Sequence, residues 1–131
     1  WTAEDKEAFD AKTQKVAAYL STIEAGPGVH VNGDLVVTES IADFGGLAAV
    51  LEAASQIDDF DYDAFFRNYA SAWKIVMSKD KLAEKLVSDE HPPGSVRVNT
   101  NVQQYEEFYT AYDVQPGDGM YLAPEDRVAV W

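Results

Sequence analysis

Apolar residues recur at helical spacing along most of the chain, and this pattern predicts a mainly α-helical fold. Thr2 and Asp5 have the types and spacing of a capping box, which begins a first helix that runs to about Ile23. A second helix is predicted from Glu39 to about Ser55, and it is apolar around most of its circumference, as buried helices are. Further helices are predicted over residues 64–77, 80–87 and 102–112.

The segments between these helices carry extended and turn patterns. Residues 29–37 are predicted to be extended, with a hairpin turn at Asn32-Gly33-Asp34, before Thr38 caps the second helix. Residues 88–101 are rich in turn formers and are predicted to form a loop. Gly45-Gly46 lies within the second helix, where glycine is unfavourable, so we expect another element to approach closely there.

Composition narrows the class of protein. The 131 residues predict a single domain, residues 1–131. Ten basic and 23 acidic residues give a net charge of −13, which argues against nucleic acid and anionic membranes as partners. The chain has no cysteine, which excludes disulfides, thiolate metal sites and cysteine nucleophiles. It also lacks the run of about 18 apolar residues that a membrane-spanning helix needs.

Two carboxylates lie four residues apart in the second predicted helix. At that spacing the side chains of Glu39 and Asp43 project from one face. Acids near a helix start can simply favour the helix dipole, which is a structural explanation for both. Asp43, however, falls in the most apolar stretch of the chain, where an unpaired carboxylate is costly. We therefore expect Asp43 to have a partner.

A proline-rich loop carries the second candidate group. His91 follows Asp89 by two residues, so this carboxylate can select the tautomer of the imidazole. Arg97 follows six residues later, and a histidine and an arginine close together can donate to a carbonyl or an oxyanion. The alternative is a capped loop with a surface ion pair. The other histidine, His30, is interpreted as a structural or surface residue.

An acidic segment resembles the start of a calcium loop but lacks its essential positions. Asp59, Asp61 and Asp63 match the first three ligands. The turn glycine is replaced by Ala64 and the bidentate glutamate by Ala70. The pattern therefore favours a solvated loop whose acids begin a helix.

Short motifs occur in one order along nearly the whole chain. Residues 31–35 read V-N-G-D-L, residues 39–47 read E-S-I-A-D-F-G-G-L, and residues 89–99 read D-E-H-P-P-G-S-V-R-V-N. They resemble the N-G-x-L, E-N-I-A-D-x-G-G-L and D-x-H-x-P-x-x-x-R-x-N-type segments of the neprilysin and endothelin-converting-enzyme family of zinc metalloendopeptidases. Trp1-Thr2 and residues 127–131 are similar to the W-W-T and R-V-W segments that open and close the same region.

The resemblance implies the helical C-terminal part of a thermolysin-like (zincin) metalloprotease catalytic domain, with a short extended hairpin. It implies zinc as the cofactor and small peptides as substrates. By the same resemblance, Glu39 is the third protein ligand of the zinc, and Asp43 holds a zinc-binding histidine. Asp89 orients His91, which stabilises the oxyanion of the tetrahedral intermediate. Arg97 binds a substrate carbonyl.

The chain departs from the family in ways that limit this expectation. It contains no His-Glu-x-x-His, the motif that supplies two zinc ligands and the general base in zincins. We therefore expect a C-terminal fragment that is inactive alone and needs the rest of the parent catalytic domain. Ser40 stands where the family has asparagine. The lack of cysteine suits a bacterial oligopeptidase-like member and favours a cytoplasmic location.

One rival interpretation follows from the missing motif. Without the histidine ligands, the chain could be a non-catalytic acidic helical module that binds a partner protein through an apolar face. A His-Glu-x-x-His sequence upstream of this chain would favour the peptidase.

Overall fold

Six α-helices and one two-stranded antiparallel sheet form the part of the chain described by this computed structural model, residues 1–129. The elements are α1 (Ala3–Ser21), β1 (Glu24–Gly26), β2 (Val29–His30), α2 (Gly33–Ala54), α3 (Tyr62–Ala72), α4 (Lys79–Ser88), α5 (Gly94–Val102) and α6 (Glu106–Tyr112), followed by a 3₁₀ turn (Pro124–Asp126). The mainly helical fold with a short hairpin is confirmed. The end of the R-V-W-like segment, Val130 and Trp131, lies outside the described residues.

Helix α2 contributes to both parts of the hydrophobic core. Its first half packs against α1 in one cluster, whose members include Val16, Leu20, Val36, Ile41 and Phe44. Its second half packs against α3, α5 and α6 in another, whose members include Leu47, Leu51, Phe66, Val102 and Phe108. Packing in both clusters therefore fixes the position of α2 relative to α1, α3, α5 and α6.

Helix α1 begins where the sequence predicts. The Thr2 side chain accepts a hydrogen bond from the backbone N–H of Asp5 at 3.1 Å, and the Asp5 carboxylate accepts from Thr2. This reciprocal capping box satisfies backbone donors that a helix start otherwise leaves unpaired. The acidic segment behaves as the sequence favoured: Asp61 caps α3 by accepting from the N–H of Ala64 at 2.9 Å.

The start of α2 differs from the prediction. The cap is Asn32, which accepts from the N–H of Leu35 at 3.2 Å, and the predicted cap Thr38 lies inside the helix. The hairpin turn occurs earlier, where Gly28 adopts φ = +73°. The apolar run 35–37 is helical because Val36 and Val37 pack into the core beside α1, and this packing outweighs their strand preference.

The predicted loop over residues 88–101 is also wrong, because α5 occupies its second half. Helix α5 begins after Pro93, and its Val96 and Val98 are buried in the two different clusters. The rigid φ of proline suits a helix start, and burial of the valines offsets their weak helix preference. Helix α3 ends at Ala72, five residues earlier than predicted, and residues 74–78 connect it to α4 without regular structure.

Close approaches of neighbouring backbone occur at Gly33 and Gly94, whereas Gly46 has open space around it. A Cβ atom on Gly46 would meet nothing within 4 Å, so the expected contact is absent there among the described residues. A Cβ on Gly33 would lie 2.0 Å from the carbonyl oxygen of Ala17, where α2 crosses α1. A Cβ on Gly94 would lie 2.3 Å from the carbonyl oxygen of Trp73, where α5 starts against the end of α3. Only glycine permits these two crossings.

Within residues 1–129, none of the helices combines the length and the apolar character that crossing a membrane requires.

Candidate active site

Glu39 and Asp43 lie one turn apart on α2, and both reach toward α5 and the loop that precedes it. Glu39 is the more accessible, with 32% of its side chain exposed, whereas Asp43 is 16% exposed. The shared face is the one that the four-residue spacing predicts. Ser40, between them, is buried and donates to the carbonyl of Val36 at 2.9 Å, so it does not face this site.

Asp43 is paired with Arg97, which is 54 residues later in the chain. The guanidinium donates from Nε to one carboxylate oxygen and from Nη2 to the other, at 2.8 Å for Nη2. This bidentate contact raises the pKa of Arg97 above its usual value. The expectation that Asp43 must have a partner is confirmed.

Arg97 also contacts two further groups of the site. Its guanidinium carbon lies 4.3 Å from the ring centre of Trp73, a cation–π arrangement. Its Nη2 lies 3.7 Å from Oε2 of Glu39. Asp43, Trp73 and Glu39 surround the guanidinium, and only 12% of the Arg97 side chain is exposed. Trp73 had no candidate role in the sequence.

His91 lies between two carboxylates. Oδ1 of Asp89 lies 2.9 Å from ring Nδ1 and also accepts from the His91 backbone N–H at 2.9 Å. The hydrogen bond from Lys85, followed by those from His91, lowers the pKa of Asp89 well below its usual range. An ionised carboxylate only accepts, so Nδ1 carries a proton. On its other side, Nε2 of His91 lies 3.3 Å from Oε2 of Glu39.

The five residues singled out in the sequence therefore meet on one face, which also borders an open cavity. The cavity has a volume of about 260 Å³, and Trp73, Ile75 and Met77 form its apolar side. Lys85, His91 and Arg97 lie among its polar lining residues. Such a mixed cleft beside convergent polar groups is typical of a ligand site.

The face contains donors suited to a divalent metal, but too few for a complete site. Glu39 offers a half-exposed carboxylate, an oxygen ligand that zinc accepts. Ligand atoms of Glu39, Glu90 and His91 lie within 4.8 Å of one another. Zinc in proteases takes three protein ligands, usually with two histidines, and this chain has no His-Glu-x-x-His. The residues present are thus compatible with part of the ligand set of a zinc site, with Glu39 as one ligand.

Comparison with known proteins identifies the family of this chain. The model of peptidase family M13 matches residues 1–128. The chain is 41% identical over its whole length to a neutral endopeptidase of Lactococcus lactis, of which it covers 21%. It is 25% identical to rabbit (Oryctolagus cuniculus) neprilysin, of which it covers 19%. The chain thus spans about a fifth of the length of the curated relatives that it matches.

Solved structures give the same result. The crystal structure of PepO from Lactobacillus rhamnosis matches 98% of this chain with a TM-score of 0.88 and 39% identity, over 20% of its own length. The Mycobacterium tuberculosis zinc metalloprotease Zmp1, in complex with an inhibitor, matches 98% of the chain with a TM-score of 0.89 and 28% identity, over 22% of its length. The predicted family is confirmed: the chain belongs to peptidase family M13, the neprilysin family.

Proposed function

We propose that this chain forms one wall of the active site of a zinc-dependent endopeptidase that hydrolyses peptide bonds in small peptides. The observation that carries the proposal is the convergence of Glu39, Asp43, His91 and Arg97 on one face beside an open cavity. The two histidine ligands and the general base would come from a part of the complete protein outside this sequence. The chain alone would be inactive.

Glu39 is the proposed metal ligand of this chain. When bound, zinc supplies polarisation of the scissile carbonyl and activation of a water molecule. Asp43 would hold one of the missing histidine ligands, since a carboxylate that accepts two hydrogen bonds from Arg97 retains further lone pairs. Partners of this kind orient metal-bound histidines. Family M13 and the zinc metalloprotease Zmp1 among its solved structures support the choice of metal.

His91 and Arg97 would act on the substrate. Donation from Nε2 of His91 to a developing oxyanion requires a ring with both protons, since Asp89 holds the proton on Nδ1. The two ring nitrogens of His91 lie 2.9 Å from Oδ1 of Asp89 and 3.3 Å from Oε2 of Glu39. Arg97 uses Nε and Nη2 on Asp43, and its Nη1 has no hydrogen bond among the described residues. Nη1 would donate to a substrate carbonyl.

The test is the substitution Glu39→Gln in the complete protein, with metal content and peptide cleavage measured together. We expect both to be lost, because the neutral amide is a poor zinc ligand. Glu52→Gln is the matched control, since Glu52 is exposed on the same helix. Full zinc content and normal turnover in Glu39→Gln would contradict the assignment. If the unmodified protein neither holds zinc nor cleaves an internally quenched peptide, the non-catalytic partner-binding module is the better interpretation.

A further inference from the structure

Asn101 is a fully buried polar residue next to the proposed site, and the function above does not use it. It lies four residues after Arg97 on α5, so both side chains project from one face of that helix. Its Nδ2 donates to the backbone carbonyl of Asp43 at 3.1 Å and to the hydroxyl oxygen of Tyr69 at 2.8 Å.

The two bonds determine the orientation of the amide. A backbone carbonyl can only accept, so the nitrogen of Asn101 must face Asp43. The other amide atom, Oδ1, is buried and has no hydrogen-bond partner among the described residues. A buried acceptor without a donor is destabilising. A leucine of similar size would avoid that cost but would also lose both hydrogen bonds of Nδ2, one of which contacts the backbone of Asp43.

Asp43 is bound to helix α5 at two points. Helix α5 binds its carboxylate through Arg97 and its backbone carbonyl through Asn101. Helix α3 and its C-cap residue contact Asn101 and Arg97 as well. Tyr69 contacts Asn101, and Trp73, four residues later, lies against Arg97. Two pairs of residues, each four apart, therefore face each other, and the pair on α5 also binds Asp43. Two points of attachment fix both the rotation and the register of α5 on α2, which one ion pair cannot do.

We propose that Asn101 is a positioning residue: it holds α5 so that Arg97 can grip Asp43 with two nitrogens and still direct Nη1 into the cleft. The expected change in KM rests on the proposed function, whereas the expected loss of the bidentate contact between Arg97 and Asp43 does not. Without the amide, α5 can rotate slightly, and the guanidinium loses its bidentate contact.

The kinetic test uses Asn101→Leu and Arg97→Lys, singly and together, in the complete zinc-loaded protein with an internally quenched synthetic peptide. Supporting contacts of this kind are typically worth about 10–100-fold in activity. We expect each single variant to raise KM about tenfold with kcat little changed, since a carbonyl contact is used before and during the reaction. The double variant should also show about a tenfold rise, because both changes remove the same contact.

Asn68→Leu is the matched control, since Asn68 is exposed on α3 and makes none of these contacts. It should leave KM unchanged. A merely structural role for Asn101 predicts a different result: a lower melting temperature with an unchanged KM for the folded enzyme, or a roughly hundredfold, multiplicative effect on KM in the double variant. Any of these would overturn the proposal.

A crystal structure of the Asn101→Leu variant provides a second readout that does not depend on activity. We expect the Arg97 guanidinium to have lost one of its two contacts with Asp43. An unchanged bidentate contact would overturn the inference even if the protein proves to have no peptidase activity. Should the leucine variant not accumulate, Asn101→Ala removes the same donor with less bulk and serves for both measurements.

Discussion

The pair formed by Asp43 and Arg97 allows a quantitative test of how the site is held together. Asp43→Asn keeps the shape of the side chain but removes its charge, and it leaves a guanidinium that is only 12% exposed without its main partner. Breaking a fully buried pair costs about 3–5 kcal/mol, and an exposed pair is worth about 0–1 kcal/mol. This pair lies between those limits, and Glu39 at 3.7 Å compensates part of the loss. We expect a loss of about 2 kcal/mol in the free energy of unfolding.

The assay is urea unfolding of the 131-residue chain, followed by circular dichroism, for Asp43→Asn, Arg97→Leu and the double variant. The coupling energy is the difference between the destabilisation of the double variant and the sum of the two single-variant destabilisations. It isolates the ion pair from the other contacts that each residue makes, and we expect a magnitude of about 1–2 kcal/mol. Asp63→Asn is the control, because Asp63 and Arg67 form an exposed ion pair in which Nε of Arg67 donates to both carboxylate oxygens at 2.9 Å. Water and salt screen that pair, so its loss should matter far less.

Two results would refute this reasoning. One is a destabilisation by Asp43→Asn that is no larger than that by Asp63→Asn, since burial would then make no difference. The other is a coupling energy near zero, since the cost of each single variant would then come from packing rather than from the ion pair.

Three further predictions follow from individual contacts. His91→Ala in the complete protein should lower kcat about 10²–10³-fold with little change in KM; a lower melting temperature with intact kcat/KM would indicate a structural role. The lowered pKa of Asp89 means that its ionised form stabilises the fold above its usual pKa of about 3.9 and that this stability is lost as the pH falls through the folded value. The difference in melting temperature between the chain and Asp89→Asn should therefore be constant near neutral pH and shrink below about pH 4; a constant difference would contradict this. Gly33→Ala should destabilise the chain by about 1–3 kcal/mol in urea unfolding, whereas Gly46→Ala, with open space around it, should stabilise it by about 0.5–1 kcal/mol.

Local signals predicted helix α1 well and helix α5 poorly. The capping box of α1 involves residues three apart, so its geometry can be read directly from the sequence. Helix α5 contains three valines and two asparagines within nine residues, and neither of these types favours a helix. It forms because its valines are buried in two clusters contributed by other helices, which spacing along the chain does not reveal.

The candidate site divides in the same way. The common face of Glu39 and Asp43 follows from helical geometry, and the contact between Asp89 and His91 is local. The roles proposed for these residues came from motif resemblance, which local physics alone would not have supplied. Asn101 was missed, although its four-residue spacing from Arg97 on a helix is a signal that could have been found once α5 was recognised.

The sequence by itself determined the helical class and the family and indicated the candidate site residues, because periodicity, capping and motif order are properties of neighbours along the chain. Only the tertiary structure showed that Arg97 is the partner of Asp43, that Asn101 contacts the backbone carbonyl of Asp43 and that Trp73 lies against Arg97. Asp43 and Arg97 are 54 residues apart and belong to different helices. Their meeting depends on the crossing of α5 over α2 and α3, which is set by buried side chains and by the close approach at Gly94.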